Sequence, residues 1–386
     1  MLRLPTSPAS ARAVMLQCHT LFFARPQMGP PPTTFSPSAM SSSSREAHGL
    51  CENSSAITLH EWQGWGTHSQ VPAMVEEIVD DLMTLQRDAD ARLTFGGLGG
   101  KLQGDLKVYE DKKHRAKYQS LSGSEQKLQF FSARQIACRL LGSRGYLCQK
   151  CWLSMEDCMC SRLIPSCSLW KGMRFWVYMH PKDFLRQNNT GKLLWQVFGS
   201  QDASLCLYGI SEHEEIMWDA FKHAGRGNVC CLYPNKNAPS FNVQEFFNID
   251  SSRDLECSTM ENVDKTVHFI LIDGTWNNSA AMVNRLKDRS KEIWGDDIHC
   301  VSLSSGESAM HRLRPQPSLD RTCTAAAGIS LLSELHEIQI LSKVGLDKQA
   351  EAVEEALTIL LEALTARRLR MGRSTTRKAR HDYNMD

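Results

Sequence analysis

Nowhere does the sequence hold a run approaching the roughly 20 apolar residues that a membrane-spanning helix requires. A charge excess is lacking too: Lys and Arg number 44 against 43 Asp and Glu, a net charge of +1. That excludes a globally basic nucleic-acid binder, though not a local basic patch. No internal repeat is evident, which sets solenoids and propellers aside. A phosphate-binding loop is missing its ends. In Phe95-Gly96-Gly97-Leu98-Gly99-Gly100-Lys101 phenylalanine stands where that motif opens with glycine, and Leu102 stands where it closes with Ser or Thr. The stretch reads as a flexible turn. Residues 1–45 contain no Asp or Glu at all, while carrying Arg3, Arg12, Arg25, Arg45, many serines and Gly29-Pro30-Pro31-Pro32. Such a segment buries too little apolar surface to fold. It reads as a disordered tail (1–55), and the same composition suits an organellar transit peptide, for chloroplast or mitochondrion.

What is present is globular. The 386 residues are 42 % apolar and 23 % charged, about two domains at ~100–200 residues each. Residues 56–140 read as a helical extension. Val75, Ile78, Val79, Leu82, Met83 and Leu85 recur at helical spacing within 72–92, with acids on the other face. The basic stretch Lys107, Lys112, Lys113, Arg115 and Lys117 reads as a solvated helix face, with phosphate contact as the alternative.

Fourteen cysteines are the unusual component. Spread through a long globular chain without a secretory h-region, they point to a reducing, intracellular compartment. Four crowd into Cys148-x2-Cys151-x6-Cys158-x-Cys160. Four thiolates satisfy a tetrahedral zinc ion and leave no position for water, so the expected site is structural. Cys138 and Cys167 flank it and are candidates to replace a ligand; an iron–sulfur cluster is the minority reading.

From 173 onward, β-rich runs at 173–179, 204–210, 229–233, 266–272 and 298–303 alternate with helical stretches near 190–199, 212–224 and 277–289. Helices are also expected at 324–343 and 347–370. This alternation predicts an α/β fold, a largely parallel sheet with helices on both faces. The expected body spans 141–345, followed by a C-terminal helix and basic tail at 346–386. The polar motifs fall after strand ends: His180-Pro181, Tyr233-Pro234, Asp273-Gly274-Thr275-Trp276 and Ser304-Ser305-Gly306. Open α/β sheets bind ligands there. A carboxylate at a rigid strand end suits a general base or an amine-binding group; capping of the next helix by Asp273 or Thr275 is the alternative. Trp276 is a stacking platform or helix-start packing. Asn188-Asn189-Thr190-Gly191 presents ligand-binding groups or an ordinary helix cap.

The ordered series, from the cysteine motif through His180-Pro181, Asn189-Thr190-Gly191 and Tyr233-Pro234 to Asp273-Gly274-Thr275-Trp276, resembles the DTW-domain family over roughly 145–335. These are tRNA-uridine aminocarboxypropyltransferases. The resemblance implies a SPOUT-like knotted core, S-adenosyl-L-methionine as donor, and a tRNA uridine as acceptor at N3. Asp273, Thr275 and Trp276 match the central, catalytic motif. His180, Pro181, Asn189, Thr190 and Gly191 match the first, and Tyr233, Pro234 and Arg314 (in Leu313-Arg314) complete the expected donor-binding set. Two departures are visible. Asp183 stands where the family often has Glu, and Thr324-Ala325-Ala326-Ala327 lacks the family's carboxylate. A SPOUT-type methyltransferase and a non-catalytic, zinc-stapled RNA-binding protein are the competing functions. The tail run Arg367, Arg368, Arg370, Arg373, Arg377, Lys378 and Arg380 is expected to meet tRNA phosphates.

Overall fold

The structure, a computed structural model, describes residues 56–96, 101–163, 168–233, 242–246, 266–303 and 322–373, all within the compact unit formed by residues 53–386. Strands β3 (Met173–Met179), β4 (Ala203–Leu207), β5 (Val229–Leu232), β6 (Val267–Asp273) and β7 (His299–Val301) form a five-stranded sheet ordered β4-β3-β6-β5-β7. Every pairing is parallel. Parallel strands covered on both faces read as unbroken apolar runs. All five residues of β4 and all four of β5 are buried.

Alternation along β3 divides the core. Phe175, Val177 and Met179 face one cluster, Trp176 and Tyr178 the other. Over the Trp176 face lie α6 (Ser211–Ala224) and α7 (Trp276–Trp294), through Met217, Trp218, Phe221, Met282, Val283 and Leu286. Against the opposite face lie α5 (Lys192–Phe198), α8 (Thr324–His336) and α9 (Leu346–Arg370). Helices therefore cover both faces, as the alternation predicts. The knotted arrangement implied by the resemblance concerns connections that include 247–265 and 304–321, which lie outside the described residues. No helix among the described residues is long and apolar enough to cross a membrane.

The N-terminal extension is helical. It comprises α1 (Leu59–Gly64), α2 (Ala73–Asp88), α3 (Asp105–Ser120) and α4 (Ser124–Ser143). Thr58 caps α1, its Oγ1 accepting from the Glu61 N–H at 3.2 Å. The α2 stripe Val75, Ile78, Val79 and Leu82 is buried as its spacing requires. Strands β1 (Thr94–Phe95) and β2 (Leu102–Gln103) pair antiparallel, and residues 97–100 of the glycine-rich stretch between them lie outside the described residues. On α3, Lys107, Lys113 and Lys117 pair with Asp111, Asp81 and Glu77, so three of the five basic residues of this stretch are neutralised locally. Arg285 of α7 ties the extension to the sheet domain, forking onto Glu125 at 2.6 Å and reaching Glu214 at 2.9 Å.

Candidate active site and metal centre

Asp273 is the last residue of β6 and is 6 % exposed. Its backbone carbonyl accepts from the His180 N–H at 2.8 Å, joining the ends of β6 and β3. Its carboxylate faces the loop before α5. Asn189 Nδ2 donates to both oxygens, at 3.0 and 2.9 Å. Asn189 Oδ1 accepts from the Lys192 N–H at 3.1 Å, so the amide is fixed at both ends. Gly191 is required by this approach: a Cβ there would lie 2.0 Å from Asp273 Oδ2. Sequence position alone leaves Asp273 as base or helix cap. Here the cap position belongs to Thr275, whose side chain makes no capping bond, while its carbonyl accepts from Asn278 and Ser279.

The remaining motif residues gather around the same strand ends. His180 is buried, its Nδ1 accepting from the Lys182 N–H at 3.1 Å and its ring stacked on Tyr208 at 5.7 Å. Burial pulls its pKa down to about 4, so the ring is neutral near pH 7. With Nδ1 accepting, Nε2 carries the proton and is a donor. Pro181 and Thr190 are buried, and Thr190 Oγ1 accepts from the Ala325 N–H of α8 at 3.4 Å. Thr275 and Trp276 are half-buried at the start of α7. Tyr233 follows β5, adjacent to β6 in the sheet, and its N–H donates to the Val301 carbonyl at 3.2 Å. Pro234 and Arg314 lie outside the described residues.

The metal centre is a hairpin. Cys148, Cys151, Cys158 and Cys160 place their sulfurs within 4.8 Å of one another. Two of the edges, Cys148–Cys160 and Cys151–Cys158, are 3.7 and 3.8 Å. A tetrahedron with zinc–sulfur bonds of about 2.3 Å has edges of about 3.8 Å, so the set fits a single zinc ion. Cys138 is not part of it; it lies buried on α4, its thiol pushed up to about 12 by desolvation. Cys167 lies outside the described residues. Cys151 is held low, at about 4, by the Cys160 hydrogen bond first, then by the Met159 and Leu153 backbone donors. One thiolate shared among thiols is the state from which a cation displaces the remaining protons.

Two features of the hairpin escape the sequence. Trp152 follows the second cysteine with φ +58, a left-handed conformation that bulky residues rarely adopt. It is fully buried between Phe184 and Trp195, with ring centroids at 5.4 and 5.5 Å. Lys192 is the second. It is 0 % exposed, and its ammonium donates to the Cys151 carbonyl at 2.5 Å and the Gln187 carbonyl at 2.8 Å. Burial lowers its pKa to about 7. Since its backbone N–H holds Asn189, this one residue joins the metal hairpin to the loop that orients Asp273. At α9, Arg370 and Arg367 sit against Asp157 of the hairpin at 2.6 and 3.6 Å. These two members of the basic run are therefore paired within the fold; residues 374–386 lie outside the described region.

The structure is thus a parallel α/β sheet with a buried carboxylate at a central strand end, beside a hairpin of four cysteines that could hold a metal ion. The sequence matches the family described as DTW domain over residues 145–369, more than half of the chain, and the chain belongs to that family. The match runs beyond the 145–335 covered by the motifs and takes in α9. Membership is consistent with a tRNA-modifying activity. No solved structure matches the chain.

Proposed function

We propose that this protein transfers the 3-amino-3-carboxypropyl group of S-adenosyl-L-methionine to N3 of a uridine in tRNA. The observation that carries the reading is the Asp273 carboxylate, held at a strand end by Asn189 Nδ2, which donates to both of its oxygens, and approached so closely by Gly191 that no Cβ fits between them. Bound donor supplies an electrophilic sulfonium carbon: N3 bonds to it, the C–S bond breaks, methylthioadenosine leaves with the bonding pair, and the N3 proton goes to Asp273.

Each residue then has a defined task. Asn189 is a positioning residue, since both ends of its amide are engaged within the fold. It holds the carboxylate in one orientation, as a base that takes up the acceptor proton requires. Neutral His180 offers an N–H donor at the mouth of the site. Trp276, half-buried at the start of α7, covers the uridine once that base leaves its stack. Thr190 and the backbone around Gly191 hold the donor, with Arg314 as partner of its carboxylate. The hairpin supplies no reacting group, because four thiolates complete the coordination sphere.

The test is product identity. Purified chain, labelled donor and unmodified tRNA are expected to yield methylthioadenosine and an aminocarboxypropylated uridine by nucleoside mass spectrometry. S-adenosylhomocysteine in its place would assign methyl transfer. RNA binding with no turnover of donor would assign a binding protein.

A further inference from the structure

A cavity of about 260 Å³ opens along the β4 edge of the sheet, from Arg174 near the start of β3 to His213, which follows β4. Arg174 pairs with His268 at the start of β3, whereas Met179 pairs with Asp273 at its end. Five residues of strand, about 16 Å at ~3.3 Å per residue, separate the two positions. None of the cavity's lining residues belongs to the strand-end site, and His68 and Ser69 precede the matched domain altogether. We propose that this cavity binds a phosphate group, borne by inorganic phosphate or a small phosphomonoester, on Arg174, Ser69 and His68.

The sign of the ligand follows from the charges. No Asp or Glu lines the cavity. Arg174 acts on Asp202 only at a distance, and makes no ion pair among the described residues. Its guanidinium lies over the Trp176 ring at 4.6 Å, which fixes its plane. One nitrogen, Nη2, donates to Ser204 Oγ at 2.8 Å, while Nε is buried with no hydrogen-bond partner. A partly desolvated cation without a counter-ion is costly, and a bound anion removes that cost.

The chemistry of the anion follows from the other donors. The Leu207 N–H donates to His213 Nδ1 at 3.3 Å, so the other ring nitrogen carries the proton. His213 Nε2 then donates to Ser69 Oγ at 2.9 Å, which leaves the Ser69 hydroxyl hydrogen for a ligand. Across from it, the His68 ring donates to the Ser200 carbonyl, and its Nε2 is buried without a partner. That nitrogen is an acceptor in the neutral ring. A guanidinium, a hydroxyl donor and an imidazole acceptor together suit an oxyanion that itself carries an O–H, as phosphate and its monoesters do near neutral pH. The volume sets the size. It falls below the ~300–1,000 Å³ of drug-sized sites, so a phosphate with a small substituent fits and a whole nucleotide does not.

The test is thermal unfolding and calorimetry of the full chain against inorganic phosphate, with chloride as the control at constant ionic strength. Saturable stabilisation by phosphate alone is expected. Arg174→Gln should weaken phosphate affinity about tenfold or more, the scale of one charge-assisted hydrogen bond. Ser69→Ala and His68→Gln, on the loop rather than the sheet, should each weaken it less, and decide the matter if Arg174→Gln fails to fold. Tighter binding of glycerol phosphate than of phosphate would assign a monoester; the reverse would assign the free ion. Absence of saturable phosphate binding in the wild-type chain overturns the proposal. So does undiminished affinity in both loop variants. Neither outcome bears on donor turnover, so this test and that of the strand-end site fail independently.

Discussion

The metal hairpin and the strand-end site lie side by side, joined through Lys192, yet they are built from opposite kinds of sequence. The hairpin draws its four ligands from thirteen consecutive residues. The strand-end site brings together Asn189 and Asp273, which are 84 residues apart. A local site is assembled by a turn and stabilised by its ion. A distant one exists only when β3 and β6 pair in register, so its geometry is a property of the whole sheet. The hairpin should therefore fail by losing stability, and the strand-end site by losing chemistry or fit.

The largest effect is expected from the metal. Zinc binding by structural sites is worth ~10–16 kcal/mol in apparent terms at neutral pH, most of which is folding free energy. Cys151→Ser should release the ion, measured by metal analysis, and lower the melting temperature sharply. Chelation of the wild-type chain should also weaken donor binding, because Lys192 ties the Cys151 carbonyl to the Asn189 loop. Full zinc in a folded Cys151→Ser protein would remove Cys151 from the ligand set. Unchanged donor binding after chelation would show the two regions to be independent.

Asp273→Asn comes next. The fold should survive, since an amide replaces a carboxylate of nearly equal size, but one Asn189 contact becomes amide against amide. Transfer should fall by ~10²–10⁴, the usual worth of a general base. Methylthioadenosine release at the wild-type rate would take Asp273 out of the mechanism.

The same contrast decides what the sequence discloses. The cysteine spacing and the buried strands are legible because each is written in neighbouring residues. Boundaries are less so. The run 204–210 reads as one strand, but β4 ends at Leu207. Gly209, at φ +73, turns the chain there, and its N–H is taken by Glu214 Oε1 at 2.9 Å. The helix expected over 324–343 stops at His336, after which i to i−3 bonds such as Ile338 to Leu335 continue it as turns. Nothing in the sequence singles out Lys192; only the packed hairpin shows it fully enclosed. Arg367 and Arg370 read as part of the basic run expected to meet tRNA phosphates, and their pairing with Asp157 is hidden because that residue lies more than two hundred positions earlier. The Arg174 cavity leaves no trace in the sequence at all: His68, Arg174 and His213 share no motif and meet only across the sheet edge.

Gly191→Ala sharpens the comparison at smaller scale. The added methyl would stand 2.0 Å from Asp273 Oδ2 and 2.9 Å from Val177 Cγ1, so carboxylate or loop must move. Overpacking of this kind costs about 1–3 kcal/mol. Activity should drop with zinc content unchanged, the mirror image of Cys151→Ser. A fully active Gly191→Ala enzyme would mean that the loop moves freely and that Asn189 does not fix the carboxylate.

Acid should separate the regions in a gentler way. His180 and His268 are buried, and desolvation holds both at about 4; the same cause holds His213 at about 3. In the unfolded chain each titrates near 6.5. Above that value both states are neutral and the full contribution to stability is present. As pH falls from 6.5 towards 4, the unfolded state binds protons that the folded state refuses, so stability declines with falling pH, by up to about 1.4 kcal/mol per pH unit for each proton taken up. His268→Gln isolates one of the three. Its amide oxygen can accept from Trp176 Nε1, as His268 Nδ1 does at 2.8 Å, without ever taking a proton. Denaturant unfolding of metal-loaded protein between pH 6.5 and 4 should show a shallower slope for the variant, in the window where zinc content is constant. An identical slope in both proteins would mean that His268 titrates alike in the folded and unfolded chain and contributes nothing to the acid dependence.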